Sequence, residues 1–125
     1  MARVPILHVG QTLIATVQDE IHDRDALRLQ EELATAVQRT GARGVLLDIS
    51  VVETVDSFLG RMIGDVAASA RLLGAETVVV GMQPAVAITL VELGLELPGV
   101  YTALNAQKGI ALLDRVRRAD GRRVV

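Results

Sequence analysis

Two short apolar runs open the chain, Val4 to Val9 and Leu13 to Val17, parted by Gly10-Gln11-Thr12. β-type runs on either side of a short glycine-containing break predict a hairpin. An acidic stretch follows, Asp19-Glu20-Ile21-His22-Asp23-Arg24-Asp25, in which Asp23 or Asp25 is suited to cap the next helix. Leu29, Leu33 and Val37 recur in steps of four, the mark of a helical stripe, and Gly41 ends it. Gly44-Val45-Leu46-Leu47-Asp48-Ile49 shows no alternation. A strand of that kind is buried on both faces, as in a parallel or mixed sheet under helices.

The stretch Ser50 to Ser57 is a loop of capping and β-branched residues. After it, Leu59, Met62, Ile63, Val66, Ala70 and Leu73 form the core stripe of a helix from about Ser57 to Leu73, closed by Gly74. Glu76 to Gly81 reads as a second buried strand. Pro84 opens a third helix at a position where its missing N–H costs nothing, and Gly94 closes it. Val100 to Thr102 is a short last strand. Asn105 then caps a final helix to about Arg117. The predicted order is β-β-α-β-α-β-α-β-α, an α/β fold with a mixed β-sheet and packed α-helices. One domain over 1–125 is expected, with about 118–125 a polar, flexible tail.

Composition narrows the function classes. A chain of 125 residues, 50% hydrophobic and 22% charged, is long enough and apolar enough to form its own core. Cysteine is absent, so disulfides, thiolate metal sites and cysteine nucleophiles are excluded. The formal net charge is −2 and aromatics are 2%, which gives neither a basic footprint nor stacking platforms for nucleic acid. No stretch reaches the ~20 apolar residues of a membrane span. Met1 to Arg3 is not followed by an apolar run of signal-peptide length, so no secretory signal is expected.

Catalytic chemistry finds little to work with. His8 falls in the first strand and His22 in the acidic loop, and neither shares a ligand spacing with other donors. No cofactor or metal site is expected. Gly60 and Gly64 form a G-x-x-x-G, which in a soluble helix reads as close helix-to-sheet packing. Asp48, at the end of a buried strand, sits where a receiver domain presents its phosphoacceptor. Such a site needs an acidic pair after the first strand, where this chain has His8-Val9-Gly10, and a lysine, of which Lys108 is the only one. Asp48 is better suited to accept N–H bonds from the following loop. Arg115, Arg117, Arg118, Arg122 and Arg123 are cations placed to suit a helix C-terminus.

The segment Thr54-Val55-Asp56-Ser57-Phe58-Leu59-Gly60 stands apart. Asp56 and Ser57 compete for the N-cap of the second helix, and capping alone explains both residue types. Phe58 is the only phenylalanine, and it falls in the first turn after the buried stripe is already filled. It is expected at the edge of that stripe or exposed. A hydroxyl beside an exposed aromatic at a helix start suits both partner docking and a phosphate.

These residues carry a resemblance. The order of elements and the Asp56-Ser57 helix start resemble the STAS family, which includes anti-anti-sigma factors. The matching segments are Val4-Pro5-Ile6-Leu7, Ala26-Leu27 with Gln30-Glu31, Asp56-Ser57-Phe58 followed by Gly64-Asp65-Val66, and Gly81-Met82-Gln83-Pro84-Ala85-Val86-Ala87 running into Leu90-Val91-Glu92-Leu93-Gly94. Free anti-anti-sigma factors usually carry Asp-Ser-Ser-Gly, whereas Asp56-Ser57-Phe58-Leu59-Gly60 is nearer to the RsbS-type stressosome proteins. The resemblance implies a cytoplasmic, non-enzymatic scaffold that assembles with itself and with RsbR-type STAS paralogues. It implies an RsbT-type serine kinase as partner, phosphorylation at Ser57, and partner contacts through Asp56, Phe58 and Gly60. The ATP belongs to the kinase. RsbR-type members carry an extra N-terminal sensor domain; this chain starts at its first strand, which resembles the minimal subunit. The alternative is a free anti-anti-sigma factor that binds an anti-sigma kinase.

Overall fold

Val45, Leu46 and Leu47 are all fully buried, because the strand they form lies in the middle of a sheet with helices on both faces. The computed structural model describes residues 4–19 and 21–123, with 120–123 described by their backbone. Among the described residues five strands, β1 (Ile6–Val9), β2 (Thr12–Thr16), β3 (Gly44–Asp48), β4 (Glu76–Val80) and β5 (Val100–Ala103), lie in the order β1-β2-β3-β4-β5. The β1–β2 hairpin is antiparallel and the other pairings are parallel, so the sheet is mixed. Four helices among the described residues complete the predicted order: α1 (Asp23–Thr40), α2 (Ser57–Leu72), α3 (Pro84–Glu92) and α4 (Ala106–Arg123).

Strand side chains alternate between two cores. Val45, Leu47, Ile49 and Val79 meet the buried stripes of α1 and α2, together with Val86 and Leu90 of α3. Leu46, Val78 and Val80 face the other way and pack with Leu113 and Ile110 of α4. Gly109 makes that second layer tight. A Cβ there would stand 2.7 Å from Val80 Cγ1, so the α4 backbone rests directly on the sheet. Glycine inside a helix costs roughly 1 kcal/mol relative to alanine, and close approach offsets it here.

Four local readings change, the first being that Leu73, expected in the core stripe of α2, is its C-cap and is exposed. The N-cap of α1 is His22, with no side-chain cap bond; Asp23 and Asp25 fall inside the first turn, where they suit the helix dipole. Strand β1 begins at Ile6, since Val4 turns into the core before the ladder starts. Helix α4 continues to Arg123 rather than stopping near Arg117, so the backbone over 118–123 is helical. Ala and Arg are good helix formers, and cations suit a helix C-terminus. The rest of the expected tail, residues 124–125, lies outside the described residues.

The central layer sets a test. Ile63 is fully buried between α2 and the sheet. Ile63→Ala is expected to lower unfolding stability by about 2–5 kcal/mol, measured by urea titration with an unchanged slope.

Candidate functional site

The site begins where β3 ends. Asp48 carries β3 past its partners: its carbonyl accepts the Val17 N–H at 2.8 Å, and the Ile49 N–H donates to the Val80 carbonyl at 3.0 Å. The Asp48 carboxylate accepts the Ser50 N–H at 2.9 Å, the loop role expected for it. The Val52 N–H closes a turn onto the Ile49 carbonyl at 3.0 Å, and the Val52 side chain is buried.

The Gly81-to-Pro84 string holds this loop from the other side. Gly81 has φ +76°, and a Cβ there would meet Ser50 Cβ at 2.8 Å. Gln83 is the N-cap of α3 but makes no side-chain cap bond; instead its Nε2 donates to the Ser50 carbonyl at 2.9 Å. The sequence marks this string as one of the segments that resemble the STAS family, but it reveals neither the contact with Ser50 nor the role of Gln83. The available signal was an amide side chain, rather than Ser, Thr or Asp, just before the proline that opens α3.

Helix α2 then starts under a firm cap. Asp56 is the N-cap, in extended backbone conformation, and its Oδ1 accepts the Leu59 N–H at 3.0 Å. That settles the competition between Asp56 and Ser57 for the cap. Ser57 becomes the first helical residue, half-buried, and its hydroxyl has no hydrogen-bond partner among the described residues. The cap therefore leaves the Ser57 hydroxyl free for chemistry. The first N–H groups of a helix lack intrahelical acceptors, so the surroundings favour an anion.

Phe58 lies at the edge of the buried stripe, half-buried against the main core. It forms one wall of a shallow depression of about 230 Å³, with Gln18, Ile21, Val52, Thr54 and Val55 around it. Gly60 is buried beneath the site. A Cβ there would stand 2.5 Å from Leu95 Cδ1 and 3.3 Å from Leu90 Cδ2. Gly60 therefore packs α2 against α3 and the segment after it, not against the sheet, and it presents no surface of its own. Nothing lies within 4 Å of a Cβ built on Gly64, so the two glycines do not act together.

The other candidate residues lie apart from this place. His8 is exposed on β1, over a cleft of about 590 Å³ that also meets Glu31 and Arg39 of α1. His22 is exposed at the start of α1. Among the described residues no group of three or more His, Cys, Asp or Glu side chains could hold a metal ion. Arg117 pairs with Asp114 at 3.3 Å, one turn away on α4. Among the described residues no helix is long and apolar enough to cross a membrane.

Comparison with known proteins gives this geometry its context. RsbRA of Bacillus subtilis (strain 168), an RsbT co-antagonist protein, is 35% identical over 98 residues, which are 78% of this chain and 34% of that protein. The chain thus spans about a third of the length of that relative. A solved serine-to-glutamate variant of RsbS from Moorella thermoacetica superposes with a TM-score of 0.81 at 40% identity, over 94% of this chain and 99% of that one. A chain from the molecular architecture of the stressosome, described as a signal integration and transduction hub, gives 0.79 at 40% identity, over 91% and 99%. The unphosphorylated anti-sigma factor antagonist SpoIIAA, at 13% identity and a TM-score of 0.66, shares the fold. The family model for the STAS domain matches residues 3–105, from before β1 to the cap of α4, and the chain belongs to the STAS domain family.

Proposed function

We propose that this chain is a cytoplasmic stressosome scaffold subunit that holds a switch serine kinase of the RsbT type and releases it when Ser57 is phosphorylated. The observation that carries the reading is the free Ser57 hydroxyl at the start of α2, beside an Asp56 already committed as cap. Its context supports it: two relatives at 40% identity are RsbS and a stressosome chain. The relationship to SpoIIAA is one of fold alone, so the stressosome reading is preferred to that of a free anti-anti-sigma factor.

The switch is electrostatic. An unmodified Ser57 offers the kinase a neutral helix start, with Asp56 beside it and the half-buried Phe58 ring as an apolar contact. Gly60 serves that surface from below, by seating α2 on Leu90 and Leu95. Phosphate adds about −1.5 to −2 charges at pH 7. A helix N-terminus stabilises an exposed anion by only ~0.3–1 kcal/mol, so the fold itself is little changed. Against a docked partner the same dianion is desolvated, and an unpaired buried charge costs several kcal/mol.

Self-association and joining with RsbR-type STAS paralogues complete the proposal. Leu7 and Val9 on edge strand β1 are 60% and 51% exposed, and Ile88 and Val91 on α3 are 58% and 77% exposed. Exposed apolar groups of this size supply area for assembly.

Ser57→Ala is expected to fold, to keep binding the kinase and to take up no phosphate from ATP in a phosphotransfer assay. Phosphorylation of Ser57→Ala at the wild-type rate would overturn the assignment. Asp56→Ala is expected to lose about 1 kcal/mol of stability in chemical denaturation, whereas Asp56→Asn keeps the capping oxygen and most of that stability. If Asp56→Asn folds like wild type yet binds the kinase more weakly, Asp56 contacts the partner as well as the helix. Light scattering is expected to show particles larger than a monomer, alone or with an RsbR-type paralogue; a strict monomer in both samples contradicts the assembly.

A further inference from the structure

The first two turns of α2, Ser57 to Gly64, contain one charged residue, Arg61. It lies four residues after Ser57, and side chains at that spacing share one face of a helix, with Cβ atoms about 5–6 Å apart. Arg61 is exposed, and among the described residues its side chain makes no hydrogen bond or ion pair. Asp65 stands a further turn along, also exposed and also without an ion pair among the described residues. Arg71 of the same helix differs: it is engaged by the Gly99 carbonyl at 3.2 Å and Glu76 at 3.5 Å. An uncommitted guanidinium thus stands beside a hydroxyl that has no partner either.

We propose that Arg61 is the intrachain partner of the phosphate on Ser57, a positioning residue that fixes the modified side chain along the exposed ridge of α2. This rests on the reading that Ser57 is the residue modified. Phosphate oxygens are strong acceptors, and the planar guanidinium presents paired donors to them. The acidic groups on either side of Ser57 in the chain oppose it: Glu53 and Asp56 in the preceding loop and Asp65 beyond Arg61. Arg61 is the one cation on this stretch of helix to balance them. Phosphorylation then changes the surface twice: it adds an anion, and it ties up a cation that was free.

The test places phosphoserine at position 57 of the full chain during translation, so that no kinase is needed, and follows the phosphate by 31P NMR across pH. A neighbouring cation favours the dianion, so Arg61→Gln is expected to lower the second dissociation constant about two-fold, moving the titration to higher pH. Arg61→Lys keeps the charge and most of the effect. Raising the salt to 1 M shortens the screening length to about 3 Å and shrinks the difference between wild type and Arg61→Gln. A merely structural role for this exposed side chain would leave the phosphate titration unmoved. Superimposable curves for wild type and Arg61→Gln at low salt, with unchanged circular dichroism, would overturn the proposal. Failure of a kinase to modify Ser57 would instead contradict the functional reading and leave this pairing measurable.

Discussion

Everything at the site hangs from the carboxyl end of β3, which is held between two neighbours. Val17 and Val80 bond the backbone on either side of it, and Val45, Leu46, Leu47 and Ile49 are buried above and below the sheet. A strand fixed on four sides leaves the chain one exit. Asp48, Ser50 and Gln83 then hold the first part of the loop, and the buried Val52 anchors its middle. Asp56 consequently meets α2 in extended conformation and takes the cap. That the half-buried Ser57 keeps an unpartnered hydroxyl among the described residues follows from this chain of constraints.

Separation of tasks makes the site usable. The structural burden at the helix start is carried by Asp56, whose oxygen satisfies the Leu59 N–H, and by Gly60, which lets Leu90 and Leu95 close in. Ser57 carries none of it. A residue with no structural duty can gain and lose a phosphate without unfolding what surrounds it. Phe58 lies between these roles, with part of its ring in the core and part facing the depression beside Ile21 and Val55.

Much of the fold was legible because its signals are local. Unbroken apolar runs announced β3 and β4, stripes at helical spacing announced α1 and α2, and Pro84 and Asn105 marked helix starts that the structure keeps. Less legible was whatever depends on residues far apart in sequence. The cap of α1 went to His22, which makes no side-chain cap bond, so no capping preference in the sequence marked it. The G-x-x-x-G suggested contact with the sheet, but the neighbour of Gly60 is a leucine 35 positions on, which no spacing within α2 encodes. The bond from Gln83 to Ser50 spans 33 residues and was invisible for the same reason, although the string containing Gln83 was among the family-like segments. At the site, Asp56 and Ser57 could be named from sequence, but which of them caps depends on the backbone that brings Asp56 Oδ1 to the Leu59 N–H.

The central claim is that charge at one hydroxyl governs partner release. Calorimetric titration of an RsbT-type kinase into the full chain, with either serine or phosphoserine at position 57, measures it directly. The account predicts at least a ten-fold weaker affinity for the phosphorylated chain, about 1.4 kcal/mol or more. Equal affinity for the two forms would contradict it.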